Sequence, residues 1–403
     1  MVEFRESAGE RQSKSAKIGR GQAPLRLKEI KITGKGKFPT GIEEFDRVLG
    51  GGLVPGSVVL LAGEPGIGKS TLLLQLCQAI GRQSTILYLS GEESAEQLKI
   101  RAERLGLKSD NLFLANETNL EEVEAKLENQ SWQLVIIDSI QTLWSDQLSG
   151  TAGSIGQVRE SAARLINLTK PKGIPLLLVG QVTKEGAIAG PMTLAHMVDA
   201  VLFLEGERFQ ALRLLRGIKN RFGPTDEVGV FEMTEKGLVG VANPSKVFLG
   251  TLEKVPGSVT FCALEGTRPI LVEIQALVTK SFLAVPRRVA NGFDYNRLVL
   301  LTAVLQKSLN LPLWDQDIYL NVAGGFKIGE PAADLAVCLA IISSFKNKPL
   351  PAKTCAFGEV GLLGEIRRVA QEEKREKEAK RLGFENLITS RNTKNLLQAI
   401  KNL

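Results

Sequence analysis

The sequence predicts an α/β fold, a mostly parallel sheet with helices on both faces, followed by a second half of α+β character. Three observations lead there. From Gly50 to about Met233, short apolar runs alternate with amphipathic stretches, the pattern of strands buried on both faces and joined by crossover helices. From about residue 242 onward a new set of strands and helices begins. At 403 residues and 43% hydrophobic content, the chain is longer than one core usually serves and can bury two.

Taken in order, residues 1–37 carry ten Lys/Arg against four Asp/Glu and hold most of the net charge of +7. With stretches such as RQSKSAKIGRGQ they read as a basic flexible arm, able to touch nucleic acid or simply to keep the chain soluble. Residues 38–242 read as one domain, with strands at VVLLA (58–62), ILYLS (86–90), LVIID (134–138), PLLLV (175–179) and AVLFL (200–204). Helical patterns lie between them, for example AEQLKIRAERLG (95–106) and SIGQVRESAARLINLTK (154–170). ALRLLRGIK (211–219) and EVGVFEM (227–233) flank Gly223-Pro224 and read as an antiparallel hairpin. Loop residues cluster at ANPSKVF (242–248), and residues 243–403 form the second domain, with strands VTFCALEG, ILVEIQALV and IYLNVAGG and helices NRLVLLTAVLQKSL and AADLAVCLAIISSF.

No run of 18 apolar residues predicts a membrane helix, and the polar, basic start is unlike a secretory signal. The four cysteines, Cys77, Cys262, Cys338 and Cys355, are far apart and form no CxxC pair. Neither a zinc site nor a disulfide framework is indicated. A cytoplasmic protein with reduced, buried thiols and no membrane partner is expected.

Gly63-Glu64-Pro65-Gly66-Ile67-Gly68-Lys69-Ser70, followed by Thr71, fits G-x-x-x-x-G-K-[ST] between an apolar strand and a helical run, the setting a phosphate loop requires. Its glycines let backbone N–H groups turn inward around an anion, and the helix start adds a favourable dipole. Lys69 would reach the β- and γ-phosphates of ATP and Ser70 would ligate Mg²⁺. Asp138, ending the strand LVIID, is the expected second magnesium ligand. Glu92 and Glu93 follow ILYLS at the carboxyl edge of the sheet, where a group orienting the attacking water belongs. Gln181 ends the strand of PLLLVG and could sense the γ-phosphate. Lys219 and Arg221, two apart on a strand, share one face, whereas Asn220 points the other way. Two cations presented together suit a polyoxygen anion, which can belong to a neighbouring subunit.

FPTGIEEFDRVLGGGLVPGSVVLLAGEPGIGKSTLLLQ, YLSGEES, VIIDSIQT, GQVTKEG and above all KNRFG resemble the RadA (Sms) family of bacterial DNA-repair proteins, from about residue 28 to 403. That resemblance implies a RecA-like ATPase core, a homo-oligomeric and hexameric ring on single-stranded and branched DNA, branch migration of recombination intermediates, and work alongside a RecA-type recombinase. It implies that Glu92 activates water, that Gln181 senses the γ-phosphate, and that Lys219 and Arg221 act across the subunit interface. The loops 142–159 and 182–197 would line a DNA path, with Thr142, Gln157, Arg159 and Lys184 as contacts. His196, the single histidine, reads as packed or capping rather than catalytic.

The second half resembles the Lon protease domain, whose Ser–Lys dyad cuts peptide bonds. Here Ala332 of Pro331-Ala332-Ala333-Asp334 takes the serine position and Glu373 the lysine position, with Lys374 one residue on. An alanine has no nucleophilic oxygen, so a proteolytically dead domain is expected, with Arg287, Arg288 and Lys327 as further basic surface for DNA. RadA proteins normally open with a four-cysteine zinc finger, but no cysteine precedes Cys77, and no zinc is expected in this chain. The leading expectation is a DNA-stimulated ATPase motor. An ATP-switched DNA-binding scaffold with negligible turnover is the alternative.

Overall fold

The apolar runs of the first half form the centre of a sheet, because strands without a polar face need covering on both sides. The computed structural model describes residues 36–81, 84–182, 191–206, 212–249 and 254–402. β1 (Val58–Gly63), β2 (Ile86–Ser90), β3 (Leu112–Asn116), β4 (Leu134–Asp138), β5 (Leu176–Gln181) and β6 (Ala200–Glu205) run parallel. β7 (Leu212–Asn220), β8 (Val228–Thr234) and β9 (Gly237–Gly240) extend the sheet antiparallel, giving the order β3-β2-β4-β5-β1-β6-β7-β8-β9. β3 was not among the expected strands. It is the sheet edge and only partly buried, so LFLAN lacks a sustained apolar signal.

Helices α1 (Glu43–Leu49), α2 (Lys69–Ile80), α3 (Ala95–Arg104), α4 (Leu120–Glu128), α5 (Ile155–Thr169) and α6 (Pro191–Leu194) cover the sheet. One apolar cluster gathers Phe45, Leu72, Leu76, Tyr88 and Phe231, and another gathers Leu120, Val158, Leu165 and Leu178. α3 starts in a capping box, with Ser94 and Gln97 exchanging backbone-to-side-chain hydrogen bonds. α5 corrects an expectation: it begins at Ile155, so the loop read over 142–159 ends near residue 154. The helical pattern read over 154–170 agrees with it, and only the end of the loop is corrected. Lys184, with residues 183–190, and the arm up to residue 35 lie outside the described residues.

In the second half, α7 (Ser245–Phe248) leads to β10 (Ser258–Glu265), β11 (Arg268–Lys280), β12 (Arg288–Asn291), β13 (Gln316–Val322), β14 (Thr354–Phe357), β15 (Glu359–Val360), β16 (Ile366–Arg367) and β17 (Asn386–Thr389). Six of these form the sheet β12-β13-β11-β10-β14-β17, and β15 pairs with β16 alone. α8 (Tyr295–Leu309), α9 (Asp334–Phe345), α10 (Glu372–Arg381) and α11 (Leu396–Ala399) complete it. α9 is buried from Asp334 to Ser343, which explains a sequence apolar all round.

The first sheet ends at Gly240 and the second begins at Ser258, yet Lys37–Leu403 form one compact unit. Leu212 and Val230 of the first sheet belong to the apolar core of the second half. Arg268 pairs with buried Glu44 and also donates to the carbonyls of Val241 and Ala242. Arg216 bridges Glu205 and Glu265. Gly266, at φ +61°, leaves no room for a side chain, since a Cβ there would lie 1.7 Å from the Asp226 carbonyl oxygen.

Candidate active site

The phosphate loop joins β1 to α2, and its shape depends on glycine at residue 68. Gly68 has φ +118°, and a Cβ would meet Met233 Cε at 2.8 Å. The loop is therefore packed beneath the β8–β9 hairpin. Arg213 on β7 is buried and donates through Nε to the Ile67 carbonyl at 3.1 Å, bracing the loop from the same side. Lys69 is 6% exposed, and its ammonium donates to the carbonyls of Gly63 (2.8 Å) and Glu64 (2.9 Å). Burial pushes Lys69 below the usual lysine range, while Asp138, Glu92 and Glu64 pull it back.

Sheet register brings the other groups to the same edge. Gln181 is the partner of Gly63 across β5–β1, and Asp138 is the partner of Ser90 across β4–β2. The Tyr88 hydroxyl donates to Asp138 Oδ2 at 2.5 Å and also meets the Ser70 hydroxyl. Burial first, then the Asp138 charge, raises the Tyr88 phenol well above its ordinary value, so it stays a donor. Asp138 and Ser70 supply one carboxylate and one hydroxyl. Magnesium takes such a pair when phosphates and water complete its shell, so these residues fit the ion.

Glu92 and Glu93 differ in role. Glu93 is paired with Arg101 at 2.7 Å. Ser90 Oγ accepts from the backbone N–H groups of Glu92 (3.3 Å) and Glu93 (2.9 Å), which turns Glu92 toward the cleft. There Glu92 accepts from Ser139 Oγ at 2.6 Å and from Gln181 Nε2 at 2.8 and 2.9 Å. The Gln141 side chain fixes the Gln181 backbone, donating to its carbonyl at 3.0 Å and accepting its N–H at 2.9 Å. Pro65, Glu92, Ser139, Gln141, Thr142 and Gln181 thus border a cleft of about 320 Å³. A carboxylate beside a phosphate loop, held by a hydroxyl and an amide, can orient water toward a γ-phosphate.

Lys219 and Arg221 lie elsewhere. β7 ends at Asn220, whose amide turns to the Val48 and Pro224 carbonyls, so Arg221 is just past the strand. Lys219 Nζ donates to the carbonyls of Ala195 (2.6 Å) and Val198 (2.8 Å), and desolvation lowers its pKa. Arg221 is half-exposed and pairs with buried Asp199 at 3.1 Å. Through backbone bonds Arg221 follows Asp199, and Asp199 follows Val58, at the amino end of β1. Roughly 17 Å of strand separates that level from the phosphate loop.

A family model described as an AAA domain matches residues 24–187. The DNA repair protein RadA of Streptococcus pneumoniae is 51% identical over 376 residues, covering 93% of this chain and 90% of that protein. The chain belongs to the RadA family of DNA repair proteins. RadA of Bacillus subtilis is 50% identical over 369 residues, covering 91% of this chain and 81% of its own. The crystal structure of the RadB recombinase is 25% identical and covers 50% of this chain and 98% of its own, with a TM-score of 0.41. As a RadA-family chain with an AAA-type core, this protein is an ATPase of DNA repair.

Of the residues expected to meet DNA in this RadA-family chain, Gln157 is a correction. It is 1% exposed, and its amide is used up on the 145–150 turn, accepting from Ser145 N–H and donating to the Ser145, Leu148 and Gly150 carbonyls. Thr142 borders the nucleotide cleft and donates to the Ser139 carbonyl at 2.7 Å. Arg159 is exposed on α5. His196 is exposed rather than packed. In the second half Arg288 is tied to the Arg287, Leu313 and Gln316 carbonyls, so it staples a turn, whereas Arg287 and Lys327 are exposed. Ala332 is buried at the entry to α9, Glu373 pairs with Arg391 at 2.8 Å, and Lys374 is exposed. Among the described residues no helix is long and apolar enough to cross a membrane.

Tyr88, Ser139, Gln141, Asp199 and Arg213 escaped the sequence reading. Two had a signal. A tyrosine inside an otherwise apolar strand needs a partner for its hydroxyl, and a lone aspartate before AVLFL needs one for its charge.

Proposed function

We propose that this chain is a DNA-dependent ATPase of recombinational repair, working in the cytoplasm as a ring of copies, six by the family resemblance. In this reading the ring encircles single-stranded DNA and promotes branch migration of branched intermediates alongside a RecA-type recombinase. One observation carries it: Lys219 and Arg221 sit at the amino edge of the parallel strands, across the sheet from their own phosphate loop. The triphosphate they serve therefore belongs to the next copy.

In each copy the phosphate-loop backbone and Lys69 hold ATP, and Ser70 and Asp138 hold its magnesium. The ion, when bound, neutralises charge on the phosphates. Glu92 orients the attacking water, and Gln181 leaves Glu92 for the γ-phosphate. Arg221 of the neighbour then stabilises charge in the transition state, a contribution of about 10³–10⁵ in rate. The second half acts as ring scaffold without protease activity, since Ala332 offers no nucleophile. Arg159, Thr142 and Lys184 are the proposed DNA contacts.

Arg221→Ala is expected to keep nucleotide affinity and to lose DNA-stimulated hydrolysis. Turnover equal to the unaltered chain overturns the reading. The closed Glu92–Gln181 contact favours low turnover without DNA, the feature an ATP-switched scaffold would share. Steady-state hydrolysis with and without a single-stranded oligonucleotide separates the two: no stimulation supports the scaffold.

A further inference from the structure

Asp199 is a buried carboxylate that the phosphate chemistry of its own copy does not use. Its side chain is 2% exposed. Oδ2 accepts the Val58 N–H at 3.0 Å, which fixes the carboxylate to the start of β1. Lys170 Nζ lies 3.2 Å from both oxygens, and Arg221 donates to Oδ1 at 3.1 Å. The Asp199 backbone is held on both sides, its N–H by the Val58 carbonyl at 2.8 Å and its carbonyl by the Arg221 N–H at 2.9 Å.

A buried charge is tolerated only when paired and hydrogen-bonded. Here the pairing takes one guanidinium nitrogen of Arg221 and leaves a side chain 51% exposed. Arginine is a rigid planar fork, so anchoring one of its nitrogens sets the direction of the others. Lys219 is fastened to the same turn through the Ala195 and Val198 carbonyls. Both cations thus take their position from residues 195–199.

Resting on the trans role of Arg221 proposed above, we infer that Asp199 is its positioning residue, pre-aiming the guanidinium out of the protomer toward the neighbouring triphosphate. The turn 195–199 sets the placement of both cations, and a shift of that turn displaces them together.

The test compares Asp199→Asn, Arg221→Ala and the double variant in the full-length chain, with ATP, magnesium and a single-stranded oligonucleotide. Asparagine still accepts the Val58 N–H but has no charge for Arg221. Asp199→Asn is expected to lower DNA-stimulated kcat between about 10- and 100-fold, the scale of a misplaced group, with KM for ATP unchanged. In the Arg221→Ala background the same change is expected to do nothing further. Guanidinium ion at millimolar concentration is expected to restore part of the turnover of Arg221→Ala but not of the double variant. Where Asn does not fold, Asp199→Glu keeps the charge but moves it by one methylene, and the same kcat loss and non-additivity are expected. Equal losses in both backgrounds, or unaltered kcat in a folded Asp199 variant, overturn the inference. If Arg221→Ala itself retains full turnover, the trans reading fails first. If Arg221→Ala collapses while Asp199→Asn does not, only the positioning role fails.

Discussion

Tyr88 shows how much of this site is settled by single side chains. Its hydroxyl is the buried donor on Asp138, and a hydrogen bond to a carboxylate contributes about 1.5–3 kcal/mol. Tyr88→Phe keeps the ring in its cluster and removes only that donor. The expected result is a loss of about 2 kcal/mol in urea unfolding, with a roughly tenfold rise in the magnesium needed for half-maximal hydrolysis. Unchanged magnesium dependence would count against Asp138 as the metal ligand. Lys69, Ser70 and Asp138 were legible in the sequence because a fixed spacing or a strand end defines them. Tyr88, Ser139 and Gln141 were not, because their partners come from cross-strand register and from neighbouring turns. Gln157 misled for the opposite reason: an amide in a Gly-rich stretch resembles a ligand group, but this one is spent on its own turn.

Among the elements, those buried on both faces could be read and those at margins could not. β1, β2 and β4 announced themselves as continuous apolar runs, whereas β3 at the edge did not. An edge strand depends on what packs beside it, which a single chain does not spell out. The contact of α1 and β8 with β11 is of this kind. Arg268 reaches from β11 to Glu44, whose side chain is 3% exposed and also accepts the Val230 N–H at 2.8 Å. Arg268→Ala leaves that buried carboxylate only the longer pairing with Arg47 at 3.6 Å, and a loss of about 3 kcal/mol in unfolding free energy is expected. A variant as stable as the parent chain in urea would show that the Arg268–Glu44 pair does not hold the two halves together.

For the molecule as a whole, the four cysteines were expected to be buried, and they are. Burial raises the Cys355 thiol to about 12 and pushes Cys77, Cys262 and Cys338 up as well. In the unfolded chain thiols ionise near 8.5 and the Tyr88 phenol near 10. Groups raised in the folded state contribute stability that is intact below those values and lost as pH climbs toward the folded ones. Each thiol therefore removes about 2 kcal/mol by pH 10, and a urea midpoint clearly lower at pH 10 than at pH 8 is expected. Identical midpoints at the two pH values would contradict the burial. Two sheets were foreseeable from the change of pattern near residue 242, but not the sharing of core between them: Leu212 and Val230 look like ordinary strand residues until the second half closes over them.

β7 has one more consequence. Near its start, Arg213 grips the carbonyl of Ile67 in the phosphate loop, and at its far end the chain passes Lys219 and turns out as Arg221. Arg213 and Lys219 thus lie about 20 Å apart along one strand, whose pairing with β6 is interrupted by a bulge at Ile218. In a closed circle of copies, such strands would tie every triphosphate mechanically to the next, with the bulge as a point at which the link can bend.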